Sequence, residues 1–190
     1  MATDVDITKF INSFAAGGAR PSLYKVQISK NTHFKNEDPE TLQYLCKNAS
    51  LPASNIGQIP VSFLGRQVKL PGTRTYEDLS LTFYNDENFA LRNLFERWAH
   101  AMGQFKSPFN NKVLLTGADK ATSDIIVSQL NKDGSVAYEY KFHYAFPTVV
   151  AAIDLGFDQA EAVEEFTVTM AYSYFNIPTN ASGEVVEDGK

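Results

Sequence analysis

Hydrophobic and polar residues alternate along most of this chain, and a period of two marks strands with one buried and one polar face. Tyr24, Val26 and Ile28 alternate with Lys25 and Gln27, and Leu79, Leu81 and Phe83 with Ser80, Thr82 and Tyr84. Tyr138, Tyr140, Phe142, Tyr144 and Phe146 alternate with Glu139, Lys141, His143 and Ala145. Phe166, Val168, Met170, Tyr172 and Tyr174 alternate with Thr167, Thr169, Ala171 and Ser173. Ile125 to Leu130 reads as a buried strand, and Thr41 to Ala49 as a less regular one.

Two stretches switch to helical spacing. Ile7, Phe10, Ile11 and Phe14 fall at i, i+3, i+4 and i+7, after a capping pattern of Thr3 with Asp6 and before Gly17-Gly18, which predicts a helix or arm within residues 1–18. Leu91, Leu94, Phe95, Trp98 and Met102 form an apolar stripe on a helix over 86–102, capped by Asn85 or Asp86 and closed by Gly103 and Pro108. Residues 51–76 do neither. They read as a long hairpin arm with a turn at Gly65-Arg66-Gln67, carrying Phe63, Leu64 and Val68 on a segment too long for a simple loop. The expected fold is mainly β: an antiparallel β-sandwich or barrel with one covering α-helix and a long projecting β-hairpin. Residues 1–175 are expected to form one domain, and 176–190 a flexible polar tail.

Composition narrows the function. A chain of 190 residues buries roughly 70% of the surface it exposes when unfolded, so it needs no staples. The fourteen Phe and nine Tyr suit sheet faces. The single Cys46 excludes an intrachain disulfide framework and a multi-cysteine metal site, and fits a reducing compartment. Met1 to Gly18 lacks the form of a secretory signal, and no apolar stretch approaches the roughly 20 residues that cross a bilayer. A net charge of -5 argues against a general nucleic-acid binder, though it permits contact with DNA that must not stick.

The sequence carries no catalytic constellation. His33, His100 and His143 are scattered, without a second ligand at metal spacing. Glu161, Glu164 and Glu165 read as a solvated acidic run rather than paired catalytic carboxylates. There is no P-loop, nucleophile elbow or dinucleotide turn. No catalytic residue, cofactor site or metal site is therefore expected, and the reading is of a structural protein rather than an enzyme. A monomeric binding module is the bland rival. What remains is the edge problem: long aromatic strands expose unpaired backbone groups unless something covers them. Joining identical copies edge to edge in a ring, and stacking rings through arms, satisfies those groups.

The same residues carry a resemblance. Ala19-Arg20-Pro21 leads into Leu23-Tyr24-Lys25-Val26-Gln27-Ile28-Ser29, followed by Leu51-Pro52-Ala53 and by Ile59-Pro60-Val61-Ser62-Phe63 with Arg66 and Val68. Gly72-Thr73-Arg74-Thr75-Tyr76-Glu77-Asp78 precedes a strand ending in Asn85-Asp86-Glu87 and the helix through Trp98. Phe146-Pro147-Thr148-Val149 and Glu165-Phe166-Thr167-Val168-Thr169, running to Tyr174, complete it. Over about residues 19–175 the chain resembles the tail tube proteins of contractile-tailed, myovirus-type bacteriophages. The match is weaker over about 103–123.

The resemblance implies a subunit of hexameric rings stacked into a hollow tube inside a contractile sheath, with sheets joined into a continuous barrel around a lumen that conducts DNA. The partners it implies are further copies of the chain, the sheath, baseplate and tail-terminator proteins, and genomic DNA passing without specific binding, with no membrane involved. The location it implies is the virion, assembled in the host bacterial cytoplasm. The nearest alternative is the inner tube of a phage-derived contractile injection system or type VI secretion machine, which shares the fold. Ile7, Phe10, Phe63, Leu64, Arg66 and Val68 are the expected contacts between subunits or rings. Ser80, Thr82, Thr167 and Thr169 are candidates for the lumen wall.

Overall fold

The computed structural model describes residues 7–13, 17–29, 39–102, 121–156 and 162–176. The elements run α1 (Ile7–Ser13), β1 (Tyr24–Ile28), α2 (Pro39–Leu45), β2 (Cys46–Ser50), β3 (Ser54–Phe63), β4 (Arg66–Tyr76), β5 (Leu79–Tyr84), α3 (Ala90–Met102), β6 (Ser123–Leu130), β7 (Val136–Val150), β8 (Glu165–Ala171) and β9 (Tyr174–Asn176). The fold is mainly β and antiparallel, as the alternation requires.

The strands form one path, β1-β6-β7-β8-β5-β2, with β9 added beside β7; β3 and β4 make a separate two-stranded ribbon. The path folds at β7, whose fifteen residues serve two sheets. Its first half pairs β6 and β9, and its last residues, from Phe146, pair β8. Tyr144 sits at this corner with φ 56, a left-handed conformation that bends the strand where the register against β6 slips. The two layers are therefore β1-β6-β7-β9 and β7-β8-β5-β2. They do not close into a barrel. Among the described residues β1 and β2 end the path without strand pairing between them, and the Tyr24 hydroxyl donates across the gap to the Cys46 carbonyl at 2.9 Å.

The inward positions of both layers supply the core: Val26 and Ile28, Leu79, Leu81 and Phe83, Ile125 and Val127, Phe142, and Phe166, Val168 and Met170. α3 lays its stripe of Leu91, Leu94, Phe95 and Trp98 on that core, the Phe95 ring 5.3 Å from Phe83 and 6.4 Å from Phe166. The buried Trp98 indole N–H donates to the Ala121 carbonyl at 2.6 Å, which satisfies the one polar atom of the largest core side chain.

Four expectations need correction. Thr41 to Ala49 is not one strand: α2 runs to Leu45 and β2 starts at Cys46. Leu42 and Leu45 with Cys46 lie at i, i+3 and i+4, a helical rather than a strand pattern of burial. α3 starts at Ala90 rather than 86, because Phe89 takes φ 55; Asp86 still caps it, accepting from the amides of Ala90 and Leu91 at 3.3 and 3.4 Å. The strand through Tyr174 breaks after Ala171, and β9 crosses to the other layer. The hairpin turn lies at Leu64-Gly65, one residue earlier than expected. The helix exit at Gly103 and Pro108, the loop before Pro39 and the tail after Asn176 lie outside the described residues.

Candidate assembly surfaces

The β3–β4 arm is built as a two-faced ribbon. Register pairs Ile59 with Leu70, Val61 with Val68 and Phe63 with Arg66, so these six share one face. Gln58, Pro60 and Ser62 with Lys69 and Gln67 take the other. Such a division of apolar from polar normally sets a core-facing side, yet every residue from Ser54 to Pro71 is exposed. Phe63 is 68% exposed and Leu64 87%. Ten residues of strand carry the tip about 30 Å from its root.

Both turn residues have positive φ, 46 at Leu64 and 76 at Gly65, the type I′ geometry that matches strand twist in a two-residue hairpin. Gly65 adopts it freely, whereas Leu64 is strained. Nearer the root, β4 carries one extra residue where the register shifts between Ile56 and Gln58. Glycine stands on both strands there: a Cβ on Gly72 would come 3.1 Å from the Gly57 carbonyl oxygen. At the root, Tyr76 packs against Phe175 at 5.3 Å and Tyr172 at 5.8 Å, which anchors the arm to the body. The Tyr172 hydroxyl is buried there with no hydrogen-bond partner among the described residues. Burial, followed by Tyr76, Asp78 and Glu77 nearby, pushes its phenol up to about 12.

The outer face of the β8-β5-β2 layer is rich in hydroxyls. Ser80 pairs with Thr169 and Thr82 with Thr167, and the two threonine hydroxyls of the second pair lie 3.1 Å apart. The charges on this face cancel: Lys47 and Glu165 form an ion pair at 2.5 Å, with the ammonium 5.6 Å from the Tyr84 ring centre. The four threonine and serine positions picked from sequence thus lie side by side on one nearly neutral polar surface. The six expected contact residues fall into two groups. Phe63, Leu64, Arg66 and Val68 gather at the arm tip, while Ile7 and Phe10 lie on α1, 71% and 65% exposed.

Sequence reasoning missed a third surface. Where β7 leads toward β8, Asp154, Leu155, Val163, Glu164 and Glu165 line a concavity of about 460 Å³. Leu155 is 85% exposed and Val163 65%. No periodicity marks isolated apolar residues in connecting segments, so the pattern gave no signal for them. The edge strands β1 and β2 each keep one side without a strand partner among the described residues. Tyr24 and Cys46 beside that seam are held neutral: burial, then the neighbouring Cys46, pushes the Tyr24 phenol up to about 12, and burial pushes the Cys46 thiol up to about 11.

An open sandwich with an exposed apolar arm, sheet edges without a strand partner among the described residues and a neutral polar sheet face is the anatomy of a self-assembling structural subunit. The family model described as "Phage tail tube protein" matches residues 14–178, and the chain belongs to that family. It is similar to tail tube protein gp19 of Enterobacteria phage T4, 31% identical over 175 residues that cover 90% of this chain and 97% of that protein. Tail tube protein gp19 of Enterobacteria phage T6 matches to the same extent. Among solved structures, a chain of the anti-feeding prophage baseplate superposes with a TM-score of 0.61 at 12% identity, over 84% of this chain and 95% of that one. The chain is a tail tube protein of contractile phage tails: a structural subunit of the virion, not an enzyme.

Proposed function

We propose that six copies of this chain close into a ring by pairing β-sheet edges, that rings stack through the β3–β4 arms, and that the hollow core conducts DNA during ejection. The observation that carries this reading is the arm itself. Its face of Ile59, Val61, Phe63, Val68 and Leu70 is made for burial and is exposed in the single chain. In the ring, the borders β1 and β2 gain the backbone partners they lack alone. The sheath, baseplate and tail terminator bind the outside and the two ends of the tube, and assembly takes place in the host cytoplasm.

The lumen wall is the outer face of β5 and β8, with Ser80, Thr82, Thr167 and Thr169. DNA carries one negative charge per about 1.7 Å of axis and binds basic surfaces by releasing counterions. A hydroxyl-rich face whose one ion pair is internally balanced offers no such release, so DNA slides past. The test is sedimentation and negative-stain microscopy of the purified protein. Rings and stacked tubes are expected. With residues 57–69 cut to a tight turn, rings or monomers should remain while tubes vanish, and normal tube growth from that variant would overturn the reading.

A further inference from the structure

The arm and the body carry opposite charge. Residues 54–76 contain Arg66, Lys69 and Arg74 and no Asp or Glu, a charge of +3, which leaves -8 on the rest of a chain whose net charge is -5. Among the described residues none of these three cations forms an ion pair. The two features also sit at opposite ends of the same sheet. The arm leaves beside Leu79, which pairs with Met170, at one end of β5. At the other end Tyr84 pairs with Glu165, the Asn85 amide bonds the Glu164 carbonyl at 2.8 Å, and the concavity of Asp154, Leu155, Val163 and Glu164 opens.

We infer that this concavity is the socket for the arm tip of a second copy of the same chain. Phe63 and Leu64 cover the exposed Leu155 and Val163, Arg66 on the same face meets the carboxylates of Asp154 and Glu164, and Lys69, on the opposite face of the ribbon, adds positive charge nearby. The inference rests on the proposed arm-mediated stacking and adds to it where the arm lands. The fit is chemical on both counts. The tip offers two large apolar side chains with the Arg66 cation beside them, and the concavity offers exposed apolar side chains with carboxylates beside them. Among the described residues neither Asp154 nor Glu164 has a cationic partner; the Glu164 carboxylate accepts from the Asn85 side-chain amide at 3.3 Å. A tip at one end of the sheet and a socket at the other make the contact head-to-tail, which extends into an open stack instead of closing on itself.

Two charge-reversed full-length variants test this, one with Arg66→Glu and Lys69→Glu, the other with Asp154→Lys and Glu164→Lys. Each alone should lose tube growth while keeping rings and a native circular dichroism spectrum. Mixed in equal amounts, they should regain tubes, because each variant's tip then meets a socket of opposite charge. A variant that had merely misfolded could not be rescued by mixing. Leu155→Asp, a change at a side chain exposed in the single chain, should also block stacking. Tubes formed by each reversed variant alone, or rings of both variants that stay unstacked when mixed, would overturn the socket. Failure of the unaltered protein to form rings or tubes would instead sink the arm-mediated assembly on which the socket depends.

Discussion

Leu64, proposed above as a tip contact, sets the stability of the single chain against its assembly, and replacing it with Asn separates the two. Leu64 holds φ 46 at the first position of a type I′ turn, where a left-handed backbone costs an ordinary side chain roughly 1–2 kcal/mol and Asn considerably less. Because the side chain is 87% exposed, the single chain gives up almost no burial in the exchange. The turn should therefore tighten by about 1 kcal/mol, seen as roughly fivefold slower hydrogen exchange in the ladder from Phe63–Arg66 to Val61–Val68. Stacking should move the other way. Burying a Leu side chain in full contributes about 1.5–3 kcal/mol, so each tip contact should weaken by a factor of roughly 10–150, read as a higher critical concentration for tube growth. If Leu64→Asn left tube growth untouched, or loosened the ladder, the strained leucine could not be explained as a side chain kept for a partner.

Trp98→Phe removes the donor to the Ala121 carbonyl and should cost about 1–3 kcal/mol, measured as a lower urea midpoint at unchanged slope. Ser80→Lys with Thr169→Lys, paired across β5 and β8, should make assembled tubes retain short duplex DNA at low salt and release it as salt rises; equal passage at all salt concentrations would remove these strands from the wall. Tyr24 and Tyr172 titrate near 12 when folded against an ordinary 10.0, so the folded chain holds protons that the unfolded chain releases between those values. Stability should accordingly be full below pH 10 and fall from there to pH 12, with a shallower fall in Tyr172→Phe. That variant should match or exceed the parent at neutral pH, since it deletes a buried hydroxyl that lacks a hydrogen-bond partner among the described residues.

The strands with strict alternation were legible because one face of each is buried: β5 and β8 show buried and half-buried positions in perfect register with their hydrophobic pattern. The α3 stripe was legible for the same reason at a different period. Part of what escaped depended on single residues in unusual backbone. Leu64, Phe89 and Tyr144 all have positive φ, and none is a residue type that signals it. Each one moved an element boundary or bent a strand. The candidate contacts on the arm were readable because an apolar face with no partner stands out locally. The concavity at Leu155 and Val163 was not, since its apolar residues stand singly in the connection between β7 and β8, where no period marks them.

The layout of unsatisfied surfaces separates the two steps of assembly. The open path edges, β1 and β2, lie together at the seam bridged by Tyr24 and Cys46, whereas the arm leaves from the end of β5. Edge pairing runs perpendicular to the strands and the arm extends from a strand end, so lateral and axial contacts draw on different atoms. In the proposed assembly, copies join laterally without an arm being docked, and an arm docks without altering a lateral border. That independence is why an armless chain is expected to stop at rings. It also lets charge-reversed variants be mixed ring by ring: alternation along the tube leaves every in-ring border unchanged.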